Sequence, residues 1–535
     1  MKRILLLLLL IPSLALAGGG FKHTHNSSGD IISPATEDKQ DDVITELRGI
    51  PKTAFGEVSV AELTPIVQIH SAYNINTRIL EERNNNGVSS ISNNKFQVST
   101  GASANQSSAL LSKIAVKYNA GQGGLWRGTA VFTACTANST QYIGIGTSSE
   151  GYFFGCNGDT FGILRRQGGS PEIRTLTISA GATTAENITI TLDGDADATV
   201  AVTNTGDITL TANEIAAHDF SDLGQGWKAH SMGANVVFES YNAVLQTSTY
   251  SLSGTAPVAG TFAQSVAGVV PTETVVAQTA WDTDRFLFST DPSNSPAGVT
   301  LDLTKGNVYQ IRYQWLGFGL ISFFIEDPDD GDYHLVHKIE YANANTIPSL
   351  DNPTLPVCIA VKNTSNTSDI VLQSSSMMGA IEGKDLEEGI RNNITAEDTG
   401  TGTSETPIFS IHNHTIYQSK INRVRVELTV FTASIDSTTA NKPSTIRIRL
   451  NPTLTGASFS AVDVNTSVVR TDTAATAVSG GDIIFSQIIT EGASPIIDFT
   501  EIMDKLNPGE TVTVSLESSS GNVDSVISMN WKELF

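Results

Sequence analysis

From Val58 onward, short runs of β-branched and aromatic residues alternate with Gly, Asn, Ser and Asp punctuation at roughly 8 to 12 residue spacing, the pattern of antiparallel sandwiches. Thr129-Ala130-Val131-Phe132, Gln141-Tyr142-Ile143-Gly144-Ile145, Gly151-Tyr152-Phe153-Phe154 and Thr160-Phe161-Gly162-Ile163-Leu164 are such runs. Around Arg174 the character changes. From 175 to 284 Lys228 is the only lysine or arginine, and Ala, Thr and Val dominate. In this stretch Thr177–Leu192 and Thr199–Leu210 alternate as strands, and Ala234–Ser240 and Ser248–Ser253 read as two more. Thr211-Ala212-Asn213-Glu214 has the form of a capping box, opening a short helix through Ile215 and Phe220.

Past Trp281 the earlier pattern returns, with strands expected at Val308–Trp315, Leu320–Ile325, His334–Tyr341, Val357–Val361 and Ile370–Leu372. The stretch 171–279 therefore reads as a small β-rich module inserted between two halves, 57–170 and 280–384, of one sandwich. Added length in a surface loop costs little entropy. Residues 385–403, rich in Glu, Asn, Thr and Gly, read as a linker, and 404–535 as a C-terminal sandwich. Its expected strands are Arg423–Phe431, Ser444–Leu450, Asp482–Ile489 and Thr511–Glu517, with a helical turn at Thr500–Leu506 stopped by Asn507-Pro508-Gly509. The fold class expected is all-β and multi-domain.

The N-terminus breaks the pattern. Residues 1–17 combine Lys2-Arg3, an apolar run from Ile4 to Ile11, Pro12, and Ala15-Leu16-Ala17 as a cleavage site, the layout of an export signal. Residues 18–56 lack apolar periodicity and read as a flexible or docking arm. The three cysteines, Cys135, Cys156 and Cys358, show no C-x-x-C spacing, which excludes a zinc ribbon and a thioredoxin-type site. They read as three buried small hydrophobes, with a Cys135–Cys156 bridge as the alternative in an oxidising compartment.

Composition narrows the partners. The 535 residues exceed one core, and the charged fraction of 16% is below the roughly 25% of ordinary soluble domains. The net charge of −23 repels phosphate backbones, so nucleic acid is not an expected partner.

Candidate chemistry is sparse. Glu326, Asp327, Asp329, Asp330 and Asp332 crowd a turn set by Pro328 and Gly331, which reads as a solvated hairpin tip or as a calcium loop in which Asp327, Asp329, Asp330 and Asp332 are the ligands; no other cofactor is expected. A glycan hydrolase would want facing carboxylates, but the E-x-D-x-E form is missing and Pro328 ends the strand after Glu326. Asp193-Gly194-Asp195-Ala196-Asp197 reads as a polar turn. His23-Thr24-His25 and His412-Asn413-His414 are H-x-H pairs without an obvious third ligand. The absence of G-x-S-x-G, H-E-x-x-H and Walker A sequences removes the commoner enzyme classes, and a non-enzyme is expected. Sugar recognition stacks rings on aromatics beside polar groups, which makes Trp126, Tyr152, Asn157, Asp159, Trp281 and Asp282 the candidate ligand residues, with core packing the competing role for each aromatic.

The runs Leu63-Thr64-Pro65-Ile66-Val67-Gln68, Tyr73-Asn74-Ile75-Asn76, Ala120-Gly121-Gln122-Gly123-Gly124, Gly155-Cys156-Asn157-Gly158-Asp159-Thr160-Phe161-Gly162, Tyr313-Gln314-Trp315-Leu316-Gly317, Tyr341-Ala342-Asn343 and Ile381-Glu382-Gly383-Lys384 resemble virion structural proteins of marine bacteriophages and some large DNA viruses. The resemblance covers most of 57–535, and 171–279 resembles modules of phage tail and fibre proteins. It implies a particle-surface protein, a tail fibre, decoration or host-attachment component, with a lectin-like jelly roll and no carried-over catalytic residue. Its expected partners are other virion proteins, a host-surface glycan or receptor, and further copies of itself, with a trimer as the assembly the resemblance to fibre proteins implies. The export-type segment departs from tail proteins assembled in the cytoplasm. Two other readings stand beside this one, a secreted bacterial adhesin or matrix protein and a glycan hydrolase on a lectin-like fold.

Overall fold

The computed structural model describes Thr24–His25, Ile31–Ile32 and residues 63–535, apart from 204, 255–256, 386–387, 437–441, 501 and 503–504. The chain divides into two compact units, Met1–Val60 and Ala61–Phe535. In the first, Thr24–His25 pairs antiparallel with Ile31–Ile32. The export-type segment 1–17 and His23 lie outside the described residues, as does the rest of the arm 18–56.

The second unit is built of antiparallel sheets. One has seven strands in the order Thr272–Ala277, Thr160–Gln167, Gly151–Asn157, Ser139–Gly146, Leu355–Asn363, Ser107–Val116 and Leu80–Asn85. A nine-stranded sheet runs Tyr333–Ile339, Ile321–Glu326, Asn307–Tyr313, Gly124–Phe132, Val371–Ser374, Lys95–Ser99 and Val88–Ser92, with Ser376–Glu382 branching from Gly124–Phe132 and Leu63–His70 pairing with Ser376–Glu382. Both sheets thus draw strands from either side of residues 171–279. Period-two patterning explains the layering. Ile321, Phe323 and Ile325 are buried while Ser322, Phe324 and Glu326 between them are not. The buried faces meet in one core, where the Phe154 ring lies 4.9 Å from Tyr309 and 5.4 Å from Phe323.

Residues 173–266 hold a four-stranded sheet (Trp227–Met232, Asn235–Ser240, Ile173–Ala180, Ala259–Val266) and a three-stranded one (Asp195–Val202, Glu186–Leu192, Ser251–Ser253), with their own core. Thr272–Ala277, expected in the inserted stretch, instead pairs with Thr160–Gln167 in the seven-stranded sheet. The expected strand Thr199–Leu210 ends at Val202, because a helix spans Ile208–Ala217. Its N-cap is Asp207, whose carboxylate accepts from Thr209 N at 2.7 Å and Leu210 N at 3.0 Å. The expected capping box is therefore corrected: Thr211 lies within the helix and Glu214 accepts from Thr203 N at 2.9 Å.

The C-terminal part stacks a six-stranded sheet (Ser460–Ala461, Val469–Asp472, Thr406–Asn413, Thr511–Ser518, Ser444–Leu450, Asp482–Ile489) on a four-stranded one (Ile390–Thr401, Val523–Leu534, Arg425–Asp436, Ile496–Asp498). Its core, centred on Phe431, Trp531 and Ile446, is separate from that of the first sandwich. The linker expected at 385–403 holds the twelve-residue strand Ile390–Thr401, paired along Val523–Leu534. Of the helical turn expected at Thr500–Leu506, 501 and 503–504 lie outside the described residues, and Leu506 forms a β-bridge with Val426.

Cys135 and Cys156 form a disulfide, which corrects the expectation of three unpaired cysteines; Cys358 is free and buried. Among the described residues no helix is long and apolar enough to cross a membrane.

Candidate functional site

Strand geometry decides the aromatic candidates first. Trp126, Tyr152 and Trp281 occupy inward positions and are 0%, 0% and 2% exposed. The Tyr152 hydroxyl is 2.9 Å from Ser349 Oγ, and the Trp281 ring packs on Phe154 and Phe161. All three fill the core and present no face for a sugar ring. Asn157 and Asp159 stand exposed at the tip joining Gly151–Asn157 to Thr160–Gln167, where Asn157 Nδ2 donates to Glu273 Oε1 at 2.8 Å. Asp282 is half exposed and lies 3.0 Å from His337 Nδ1. The six candidates do not converge on one place.

The acidic turn is tighter than its sequence suggests. It links Ile321–Glu326 to Tyr333–Ile339, with Gly331 at φ +78° and its N–H donating to Asp327 O at 2.8 Å. Asp327, 3% exposed, turns inward, and Asp330 Oδ2 lies 2.9 Å from His334 Nε2. Ligand atoms of Asp327, Asp330 and His334 all fall within 4.8 Å of one another. Asp329 and Asp332 enter this turn through their peptide N–H groups, which donate to Asp327 Oδ1 and Asp330 Oδ1, and their carboxylates are not part of the cluster. The peptide N–H of Asp332, and then His334, hold the Asp330 carboxyl below the usual carboxylate range. Two carboxylates and an imidazole suit Mn²⁺ or Zn²⁺ better than Ca²⁺, which takes six to eight oxygens.

A larger feature escaped the sequence. The face of the seven-stranded sheet turned away from the core carries Glu81, Arg83, Leu111 and Lys113. Together with Lys228, His230 and Glu239, and with Thr415, Asn422, Arg423 and Asn507, these line a groove of about 350 Å³. Four charges form its floor. Arg83 lies 2.9 Å from both Glu81 and Glu239, and Lys228 lies 2.8 Å and 3.1 Å from the same two carboxylates. Burial pushes the Glu81 carboxyl up, but Arg83 and Lys228 outweigh that and hold it well below the usual range. Arg423 fixes one wall, bonded to Glu150 at 3.0 Å and to Thr354 O at 3.0 Å. Burial pushes the His230 imidazole down to about 4, so it is neutral near pH 7. Three buried polar atoms of the lining have no hydrogen-bond partner among the described residues: His230 Nε2, Thr415 Oγ1 and Asn507 Oδ1.

A second cavity, about 300 Å³, shares Arg83, Leu111 and Ser148 with the groove and continues over Tyr142, Arg166 and Lys362. Burial lowers the Lys362 pKa. Lys228, the lone lysine or arginine of its stretch, was the one visible sign of this region, because an isolated cation in an apolar, acidic module calls for partners elsewhere.

No family model and no curated protein sequence matches the chain. Solved structures that align with it include peanut lectin, at 8% identity over 61% of this chain and 100% of the lectin, with a TM-score of 0.26. The exoplasmic/lumenal domain of VIP36, in its Ca²⁺/Man3GlcNAc-bound form, aligns at 10% identity over 62% of this chain and 93% of its own, with a TM-score of 0.24. A legume lectin-like domain from Entamoeba histolytica aligns at 10% identity over 60% and 98%, with a TM-score of 0.20. Scores this low leave the ligand to be argued from the residues of the chain itself.

Proposed function

We propose that this chain is a non-catalytic display protein of a virus particle surface, a tail fibre, decoration or host-attachment component, that binds a host-surface glycan in the groove floored by Glu81, Arg83, Lys228 and Glu239. The observation that carries the glycan reading is a groove lined by neutral polar side chains, three of which, His230, Thr415 and Asn507, each keep a buried atom (Nε2, Oγ1 and Oδ1) without a hydrogen-bond partner among the described residues. Buried polar atoms cost stability unless bonded. Sugar hydroxyls both donate and accept, so they suit an imidazole nitrogen, a hydroxyl and an amide oxygen alike. The floor charges are already paired with one another, so the groove favours a neutral polyhydroxylated ligand over an ion.

A glycan array probed with the full chain tests this. At least one glycan class is retained by the wild type, and Ser148→Trp, which fills the groove from a residue shared by both cavities, loses at least tenfold in affinity with an unchanged melting temperature. Thr415→Val weakens binding by a smaller factor. A wild-type chain that retains nothing on a broad array sinks the glycan reading.

The particle location rests on the resemblance of the quoted runs to virion proteins. Mass spectrometry of purified particles checks it. The Cys135–Cys156 disulfide favours an oxidising compartment and so supports a second reading, a secreted adhesin with the same groove. Abundance in the medium with absence from particles would select that reading.

A further inference from the structure

One side of the C-terminal sandwich ends on two strands with open edges. Asp482–Ile489 pairs with Ser444–Leu450 along one edge, and Ile496–Asp498 pairs with Arg425–Asp436 along one edge; among the described residues neither has a strand on its other side. Ile483, Ile488 and Ile496 on these strands are 51%, 68% and 79% exposed. Proteins guard open edges with lysine, proline or short strands. Residues 482–489, DIIFSQII, carry no lysine and no proline, and their one charge, Asp482, lies 2.6 Å from Arg78. This is a mostly apolar eight-residue edge whose one charge sits at its first residue, and among the described residues its outer row of backbone donors and acceptors has no strand partner.

A bulge sorts the isoleucines. Opposite Ser444–Leu450 the register runs Ile488, Gln487, Ser486, Phe485 and then skips Ile484 to Ile483. Phe485 faces the core, where its ring lies 5.5 Å from Phe499. Because of the skip, Ile483 lies opposite Arg449 and shares the outward face with Ser486, opposite Arg447, and Ile488, opposite Thr445.

We propose that this edge pairs antiparallel with the same edge of a second copy, about a two-fold axis at Ser486, to give a dimer with one sheet continuous across both chains. A two-fold axis perpendicular to a sheet keeps outward residues opposite outward residues. Centring it on Ser486 sets Ser486 opposite itself, Phe485 opposite Gln487, and Ile488 against the Ile483–Ile484 bulge. Ile483 and Ile488 of each copy then cover those of the other. Asp482 falls at the end of the ladder, away from Asp482 of the second copy. The isologous contact closes at two chains, in contrast to the trimer suggested by the resemblance to fibre proteins.

The test uses the full chain. Size exclusion with light scattering at tens of micromolar reads twice the chain mass for the wild type. Ile488→Lys, on a side chain already in solvent, reads one chain mass at the same melting temperature, a dissociation constant raised at least tenfold. Ser486→Cys reports the axis directly: mild oxidation cross-links it to a dimer on a non-reducing gel, whereas a cysteine at exposed Ser519 does not cross-link. A monomeric wild type overturns the proposal, as does a trimer, or a dimer that survives Ile488→Lys and leaves Ser486→Cys uncross-linked.

Discussion

His230, on the strand Trp227–Met232, and His412 and His414, at and just past the end of Thr406–Asn413, lie in a row with ring centroids 5.9 Å apart at each step, stacked at the first and tilted at the second. Burial pushes His230 down to about 4 and His414 down to about 3, and drives His412 well below its usual value. Lys228 and Arg470 add to the depression, while Glu239 opposes it at His230. With folded values below the unfolded value near 6.5, the unfolded chain binds more protons between those limits. Stability is therefore lost as pH falls below about 6.5, on the order of 3 kcal/mol from His230 alone by pH 4. A melting temperature that drops between pH 7 and pH 4.5, less steeply in His230→Gln, is the expected outcome; a flat profile contradicts it. The acidic turn gives a second test. Millimolar Mn²⁺ or Zn²⁺ raises the melting temperature more than Ca²⁺ does, and His334→Ala removes the difference. Asp327 and Asp330 were legible as a cluster because they are neighbours in sequence. The imidazole that joins them sits on the following strand and was readable only once the turn was closed. For Trp126, Tyr152 and Trp281, sequence left ligand platform and core filler open, and inward position on paired strands decides for the core.

At the scale of elements, the strands with strong apolar alternation were readable to within a residue or two: Asp482–Ile489 and Ser444–Leu450 match the expected bounds, and Asn307–Tyr313 lies close to Val308–Trp315. Ile390–Thr401 was not, since IRNNITAEDTGT buries only Ala396 and Thr401 and is held by its ladder to Val523–Leu534 rather than by an apolar face. The helix cap failed for a related reason. Two cap sequences compete within eight residues, and the one at Asp207 prevails because its carboxylate reaches two N–H groups at once. The disulfide was undecidable from an odd cysteine count, because pairing requires the loop after Phe132 to return to the strand Gly151–Asn157. It closes a loop across 21 residues and ties that connection to the core, so reduction costs roughly 3 kcal/mol. Dithiothreitol is expected to lower the melting temperature of the wild type and leave that of Cys135→Ala/Cys156→Ala unchanged. Cys358 gives an internal control: burial pushes its thiol up to about 12, and no reaction with a soluble thiol reagent is expected in the native chain.

The groove is a property of the molecule and of no single part. Its floor comes from the seven-stranded sheet and from Lys228 and Glu239, whereas Thr415 and Asn507, two of the three unsatisfied atoms, come from beyond residue 404. The core of residues 66–381 and that of 394–531 share no side chain, so the first can persist without the second. This separates stability from binding. A chain ending after Glu382 keeps the core around Phe154 and Tyr309 but loses two of the polar atoms that meet the ligand, as well as Arg423, which anchors the wall to Glu150. Each lost hydrogen bond is worth about 1 kcal/mol, so affinity falls by at least tenfold while the truncated chain still melts cooperatively. Calorimetric titration of both forms with the glycan retained on the array measures the difference. Equal affinities would place the ligand elsewhere, on a surface wholly within residues 63–382, and the exposed tip at Asn157 and Asp159 would be the first place to examine by substitution.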